Sequence, residues 1–421
     1  MLTRTWRKFC SSRIGRSIFR VGLPGSDLER ARVGVSSFLL HIQPVKVQSR
    51  SLKFRTTFGL GLILLYLFLI LIVTGVLLMF YYVPSPELAY RSMKDLEFVV
   101  TAGMLLRNMH RWAAHLMVLG VVLHMCRVFY TGAYKPPREF NWVIGVVLFL
   151  LTLGLSFTGY LLPWDQLAFW AITVGANISS YAPFVGEKVR FVLLGGNVVG
   201  PSALLRFYVL HVVLLPAGMA FLVAIHLWRV RKDGGLARPA EPDLIEEEFA
   251  EFELPPEKTY GLMELARGSS AAVGTAQEDT VFSWPHLVFR EILLLMLTVA
   301  GVLVLAIFWN APLEEFANPA HPPNPAKAPW YFLGLQELVA HSAFWGGVVV
   351  PTLLLVALIM LPYIDTKPDG VGVWFSSQRK TAILIFSICL ITMTVLTVIG
   401  SVFRGPNWDF TVPWHPNVEE H

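Results

Sequence analysis

Residues 104–129 read MLLRNMHRWAAHLMVLGVVLHMCRVF, an apolar run long enough to cross the roughly 30 Å hydrocarbon core of a bilayer. Unlike an ordinary membrane span, the run contains several ionisable residues: Arg107, His110, Arg111, His115, His124 and Arg127. Ionisable side chains are costly inside a membrane and mark candidate functional positions. The stretch therefore predicts a membrane helix that carries functional side chains.

The composition of the chain agrees with a membrane protein. Of its 421 residues 55% are hydrophobic and only 15% are charged, whereas soluble domains are about 25% charged. Further uncharged stretches of spanning length lie at about 57–82, 141–163, 207–228, 292–309, 345–364 and 381–403. We therefore predict an all-α integral membrane protein with seven transmembrane helices. The net charge of +5 is explained by basic flanks of the spans, so we expect membrane lipid and no nucleic acid as a partner.

The distribution of Lys and Arg predicts the orientation, because these residues concentrate on the cytoplasmic side of a membrane. Twelve of them lie in residues 1–55, so we expect a cytoplasmic N-terminus and, after seven spans, a C-terminus on the opposite, positive side. We divide the chain into a basic interfacial arm, a four-span domain, a polar connector and a three-span domain. Their predicted bounds are 1–50, 51–230, 231–283 and 284–421.

Two spans carry histidines at matched intervals. His110 and His124 are 14 residues apart, and His211 and His226 are 15 apart. Both intervals are close to four helical turns, so each pair keeps to one face of its helix and is separated by roughly 21–23 Å. Two such helices facing each other would bring the histidines together at two depths, and facing imidazoles are an axial ligand set for haem iron. A lone histidine in a span is more often a packed core residue, and we interpret His115 in that way.

Two arginines lie three residues outside His110 and His124, and glycines repeat the 14-residue interval. Arg107 and Arg127 flank the histidines of residues 104–129 and either pair with haem propionates or extend to the membrane edges. Glycines 14 residues apart occur on the first and third spans: Gly61, Gly75, Gly145 and Gly159. A flat macrocycle can approach the backbone at a glycine, although small residues also serve helix packing.

Together these residues resemble cytochrome b of the bc1/b6f class. The matching motifs are the two glycine pairs, His110-Arg111-Trp112, His124, Gly159-Tyr160, Pro163-Trp164, Phe169-Trp170, His211, His226 and Pro329-Trp330-Tyr331. The resemblance implies two non-covalent b-type haems. His110 with His211 would bind the haem near the positive side, and His124 with His226 would bind the haem near the negative side.

The histidine spacing, the seven spans and the connector resemble the b6f arrangement, with a cytochrome b6 and a subunit IV joined in one chain. Four di-haem helices would then be followed by a subunit IV-like half of three. The resemblance implies a subunit of a quinol:cytochrome c oxidoreductase in a bacterial inner membrane. The b6f-type cysteine that tethers an additional haem aligns with Gly59, so we expect no covalent haem.

The resemblance also implies two quinone sites. For quinol oxidation the candidate residues are Tyr160, Trp164, Phe169, Trp170, Pro329, Trp330, Tyr331 and Glu337. The pocket would lie between loops at 164–203 and 310–345. The aromatic residues have an alternative interpretation as an interfacial belt. Pro329 stands where the family has a glutamate, and we hypothesise that Glu337 replaces it, against a structural carboxylate. For quinone reduction the candidates are Arg231, Lys232 and Asp233, which also fit a basic membrane anchor.

The mechanism implied by the resemblance is bifurcation of the two quinol electrons. One electron would leave to a Rieske iron-sulfur subunit and a cytochrome c, and the other would cross the membrane through the two haems. The chain would then be active only with those partners, in a homodimeric complex. Two alternatives remain: a transporter with an intramembrane proton relay, and a b-type haem anchor for a dehydrogenase.

Overall fold

The computed structural model describes residues 12, 26, 29, 45–49, 52–232, 280–367 and 369–413. Within these residues, seven helices are long and apolar enough to cross a membrane. They are α1 (Leu60–Met79), α3 (Gly103–Tyr130), α4 (Glu139–Tyr160), α7 (Pro201–Lys232), α8 (Ser283–Phe308), α10 (Trp345–Ile364) and α11 (Ser377–Val402). The predicted all-α membrane fold with seven spans is therefore confirmed.

Besides a one-turn helix at Phe54–Thr57, four further α-helices lie outside the spans in the described part of the chain. They are α2 (Ala89–Phe98), α5 (Gln166–Ser180), α6 (Gly186–Leu194) and α9 (Trp330–His341). The prediction of loops over 164–203 and 310–345 was therefore wrong for much of both segments. The side chain of Asp165 caps α5 by accepting a hydrogen bond from Ala168 N at 2.9 Å, and Gly195 ends α6 at a φ of +71°.

The chain divides into two compact units, the first made of residues 1–62 and 230–297. In this unit β1 (Lys46–Gln48) pairs antiparallel with β2 (Thr280–Phe282). Gly59 has a φ of +64°, and a Cβ atom there would lie 2.7 Å from Leu294 Cδ1. A larger residue at position 59 would therefore be strained. The predicted arm and connector, 1–50 and 231–283, lie largely outside the described residues.

The second unit contains residues 63–229 and 298–421. One of its apolar clusters joins α1, α3, α7 and α8 through buried side chains that include Leu67, Ala113, Met219 and Val302. Another surrounds the ends of α1, α4 and α7 and the helices α2, α5 and α6, with Leu96, Leu161, Ile172, Leu194 and Leu204 among its members.

A buried polar network connects the segment after α3 with the segment between α10 and α11. Lys135 is 1% exposed and its Nζ lies 3.0 Å from Asp365 Oδ1. Arg379 donates to the Tyr134 hydroxyl at 2.8 Å and to the Phe129 carbonyl at 3.0 Å. Burial alone would raise the pKa of Asp365, but hydrogen bonds from Tyr134 and Lys135 lower it below its ordinary value. The network therefore links the segment between α10 and α11 to the C-terminal end of α3 and the residues after it.

Candidate cofactor site

The four predicted histidines meet as two facing pairs between α3 and α7. The ring centroids of His110 and His211 are 6.2 Å apart, with an interplanar angle of 77°. Those of His124 and His226 are 6.5 Å apart, also at 77°. The structure thus brings together the histidines that the resemblance paired, with nearly the same geometry at two depths.

The distances suit two imidazoles that share one metal ion. A metal–imidazole bond is about 2.0 Å long and a ring nitrogen lies about 1.1 Å from its centroid, so such rings have centroids about 6 Å apart. Among the described residues, no cluster of three or more His, Cys, Asp or Glu side chains could hold a bare metal ion. Two facing imidazoles match the axial ligands of a b-type haem, whose macrocycle supplies the other donors, so the residues present fit haem.

A π turn in α7 explains why one histidine interval is a residue longer than the other. At about 100° per residue, 14 residues end about 40° short of four turns, whereas 15 pass them by about 60°. Residues Leu210–Leu214 form a π turn, closed by a hydrogen bond from Leu215 N to Leu210 O. A π turn holds one residue more than an α turn. The extra residue is therefore absorbed beside His211, and the two helices keep their histidines in step.

Three of the four predicted glycines face a paired histidine. A Cβ atom on Gly159 would lie 2.5 Å from His211 Cε1, and one on Gly75 would lie 3.2 Å from His110 Cε1. On Gly145 it would lie 3.8 Å from His226 Cε1. Gly61 belongs to the first compact unit, and its role stays a prediction. The space beside the backbone is therefore smallest at Gly159, where a side chain would be tolerated least.

Two threonines that the sequence analysis missed contact the histidines of one pair. The hydroxyl oxygen of Thr74 lies 2.9 Å from His110 Nδ1, and that of Thr158 lies 3.1 Å from His211 Nδ1. Each threonine directly precedes one of the predicted glycines, Gly75 and Gly159. This repeated Thr-Gly pair was the available sequence signal.

A cavity of about 260 Å³ adjoins this pair and is lined by His110, His211, Tyr160, Tyr331, Asp165 and Arg107, among others. Two residues predicted for quinol oxidation, Tyr160 and Tyr331, therefore share a cavity with the histidines. Burial raises the pKa of Tyr331 to about 12, so its hydroxyl is protonated at neutral pH. Asp165 was not predicted, and burial raises its carboxyl pKa as well.

His115, interpreted as structural, also lines the cavity. Its Nδ1 accepts a hydrogen bond from Trp330 Nε1 at 2.9 Å, and its ring centroid lies 5.7 Å from that of Tyr331. This histidine therefore interacts with the start of α9 and not with another histidine.

Among the described residues, the lining of the cavity does not include the remaining aromatic candidates. Trp164 is buried and packs edge to face on Phe169, with centroids 5.9 Å apart, and Phe169 packs on Trp170 at 5.7 Å. Pro329 directly precedes α9.

The charged candidates differ in their surroundings. Arg107 is buried and donates a hydrogen bond to the Pro312 carbonyl at 2.7 Å, and Arg127 is buried in α3. Arg231 and Lys232 end α7 in the first compact unit, whereas Asp233 lies outside the described residues. These placements leave the predicted roles of the charged residues open to test.

Glu337 is directed at the C-terminal segment. Its side chain is 2% exposed and forms an ion pair with Arg404, whose Nε lies 3.1 Å from both carboxylate oxygens. Trp408 Nε1 donates to Glu337 Oε2 at 3.0 Å. The hydrogen bonds from Arg404 hold the pKa of Glu337 below its ordinary value. Glu337 is not among the residues that line the cavity, so this geometry favours the structural interpretation.

The fold and the site define a multi-pass helical membrane protein with two facing histidine pairs. Two family models match it: "Cytochrome b/b6/petB" over residues 45–234 and "Cytochrome b(C-terminal)/b6/petD" over residues 316–411. The chain belongs to the cytochrome b/b6 family, whose members carry b-type haems.

Relatives agree with this assignment. Cytochrome b6 of Heliobacterium modesticaldum is 44% identical over 49% of this chain and 96% of its own length. The cytochrome b subunit of menaquinol:cytochrome c reductase from Bacillus subtilis is 44% identical over 39% of this chain and 73% of its own length. A solved structure described as a hyperthermophilic respiratory Complex III matches with a TM-score of 0.68 and 26% identity, over 94% of this chain and 91% of that one.

Proposed function

We propose that this chain is the di-haem cytochrome b subunit of a bacterial quinol:cytochrome c oxidoreductase. The observation that carries the proposal is the pair of facing histidine sites, with ring centroids 6.2 and 6.5 Å apart. Membership of the cytochrome b/b6 family and similarity to a menaquinol:cytochrome c reductase subunit support it.

In this proposal His110 with His211 and His124 with His226 hold two non-covalent b-type haems. When bound, the haems supply two one-electron carriers at different membrane depths. Gly75, Gly145 and Gly159 leave room beside the histidines, and Gly61 is proposed as a further cofactor-binding glycine. Arg107 and Arg127 are proposed to bind propionates. Gly59 stands at the position of the b6f-type cysteine and offers no thiol, so the proposal includes no covalently tethered haem.

We place quinol oxidation in the cavity beside His110 and His211. Tyr160 and Tyr331 present phenol groups there, which can hydrogen-bond the quinol oxygens. Trp164, Phe169, Trp170 and Trp330 are proposed as further aromatic residues of the site. Pro329 precludes a carboxylate at the family position. Asp165, with its raised pKa and its place in the lining, is better situated than Glu337 to exchange a proton with quinol.

The remaining parts of the proposal concern orientation and assembly. The N-terminus is placed on the cytoplasmic side of a bacterial inner membrane, with quinone reduced near Arg231, Lys232 and Asp233 on that side. The chain is active with a Rieske iron-sulfur subunit and a cytochrome c, in a homodimeric complex. The excess of Lys and Arg in residues 1–55 supports the orientation.

A redox-difference spectrum with haem quantitation on the purified complex tests the proposed function. We expect two b-type haems per chain, extractable without covalent attachment, together with quinol-dependent reduction of a cytochrome c. A preparation without haem would favour the transporter alternative. Haems reduced only through a flavin or molybdenum subunit would favour the dehydrogenase anchor.

Gly159→Ala is expected to weaken haem binding at the His110/His211 pair, because the new methyl group would lie 2.5 Å from His211 Cε1 and displace the ring. Gly154→Ala is the matched control on the same helix, since its methyl group would meet Leu215 Cδ1 at an ordinary 3.7 Å and no histidine. Haem content of the two purified variants measures the difference. Equal haem content in both would contradict the proposed packing of Gly159.

A further inference from the structure

Thr74 and Thr158 contact the two histidines of one pair in the same way from different helices. Both side chains are buried, with 4% exposure each. Thr74 lies on α1 beside His110 of α3, and Thr158 lies on α4 beside His211 of α7. One histidine pair is thus bounded by two hydroxyl groups contributed by two other helices.

Each threonine hydroxyl donates its proton to a hydrogen bond within its own helix. Thr74 Oγ1 lies 2.7 Å from the Ile70 carbonyl oxygen, and Thr158 Oγ1 lies 2.9 Å from that of Gly154. A carbonyl oxygen only accepts, so each hydroxyl must be the donor in this bond. The hydroxyl has one proton, and toward the histidine it can therefore only accept.

Acceptance by the hydroxyl oxygen determines which ring nitrogen carries hydrogen. If Oγ1 accepts, then Nδ1 of His110 and of His211 must each carry the proton, and in a neutral imidazole Nε2 is left with its lone pair. A ligating histidine needs such a lone pair and a fixed ring orientation.

We infer that Thr74 and Thr158 are positioning residues that fix both histidines as Nδ1–H tautomers and present their Nε2 atoms to the space between them. The inference rests on the proposed haem ligation by His110 and His211. A hydrogen bond donated from Nδ1–H increases the basicity of the ligating nitrogen and favours ferric over ferrous iron. The two threonines therefore lower the midpoint potential of the haem at this pair.

The test is an optical redox titration of the assembled complex carrying Thr74→Val or Thr158→Val. Valine keeps the branched shape and removes the hydroxyl group. We expect the midpoint potential of one haem to rise, by about 59 mV for each tenfold loss of the ferric preference. The haem of the other pair, four turns away, should keep its potential and serves as an internal reference.

Thr152→Val is the matched control. Thr152 lies on α4 like Thr158, is 3% exposed, lines the same cavity and bonds to the Leu148 carbonyl oxygen at 2.9 Å. It differs in that its hydroxyl group bonds to its own helix and, among the described residues, not to a histidine. We expect no shift of either potential in this variant.

Serine variants separate the hydroxyl from the methyl group. If a valine variant loses its haem, the corresponding Thr→Ser variant should retain it, because serine can make the same two hydrogen bonds. Loss of haem in both would indicate a packing role and overturn the inference, as would unshifted potentials in both haem-loaded valine variants. Absence of b-type haem from the unmodified complex would instead refute the proposed function itself.

Discussion

His110→Ala is expected to reduce the b-type haem content from two per chain to one. His110 faces His211 at 6.2 Å between centroids, and alanine offers no nitrogen to replace one of two axial ligands. His124→Ala should likewise remove the haem held with His226, whose centroid is 6.5 Å away. The measurement is the amplitude of the dithionite-reduced difference spectrum per chain, resolved by potential into two components.

His115→Ala is the control for this experiment. His115 lies on the same helix only five residues from His110, but its Nδ1 accepts a hydrogen bond from Trp330. We expect this variant to retain both haems. Loss of a haem in His115→Ala, or retention of both in His110→Ala, would contradict the proposed ligand pairs.

The spans and the spacing of the histidines could be predicted from sequence, because the first depends on the length of apolar runs and the second on the helical repeat. About 20 apolar residues suffice to predict a span, and 3.6 residues per turn placed His110 with His124 and His211 with His226 on single faces. The sequence did not show how a 15-residue interval matches one of 14. The π turn at Leu210–Leu214 resolves this mismatch. It could not be predicted, because α and π turns share the same apolar composition.

Other features could be recognised only from the distances between residues that lie far apart in the sequence. The contacts of Thr74 with His110 and of Thr158 with His211 join residues 36 and 53 positions apart, and a threonine inside a span ordinarily bonds to its own helix. Helix α5 was missed because its aromatic residues suggested a membrane-edge belt, although the N-cap Asp165 was a start signal. Glu337 was selected by its nearness in sequence to Pro329, whereas its partner Arg404 lies 67 residues further on.

Arg404→Ala is expected to destabilise the chain by about 3–5 kcal/mol, since it leaves the Glu337 carboxylate buried without its cation. Glu337 is 2% exposed, and Arg404 bonds to both of its carboxylate oxygens. A lowered midpoint of thermal unfolding of the complex would show this loss. Glu337→Gln combined with Arg404→Gln should recover part of it, because two neutral amides replace an unpaired buried charge. An unchanged midpoint in Arg404→Ala would contradict a stabilising ion pair.

Glu337→Gln decides between the two roles of this carboxylate. Its oxygens are occupied by Arg404 and Trp408, and the hydrogen bonds from Arg404 lower its pKa. A group with a lowered pKa stays ionised until the pH falls well into the acid range, so it is a weak acceptor for quinol protons near neutral pH. We therefore expect Glu337→Gln to keep quinol turnover while lowering the unfolding midpoint. Inactivity with both haems bound and an unchanged midpoint would instead make Glu337 the replacement for the carboxylate missing at Pro329.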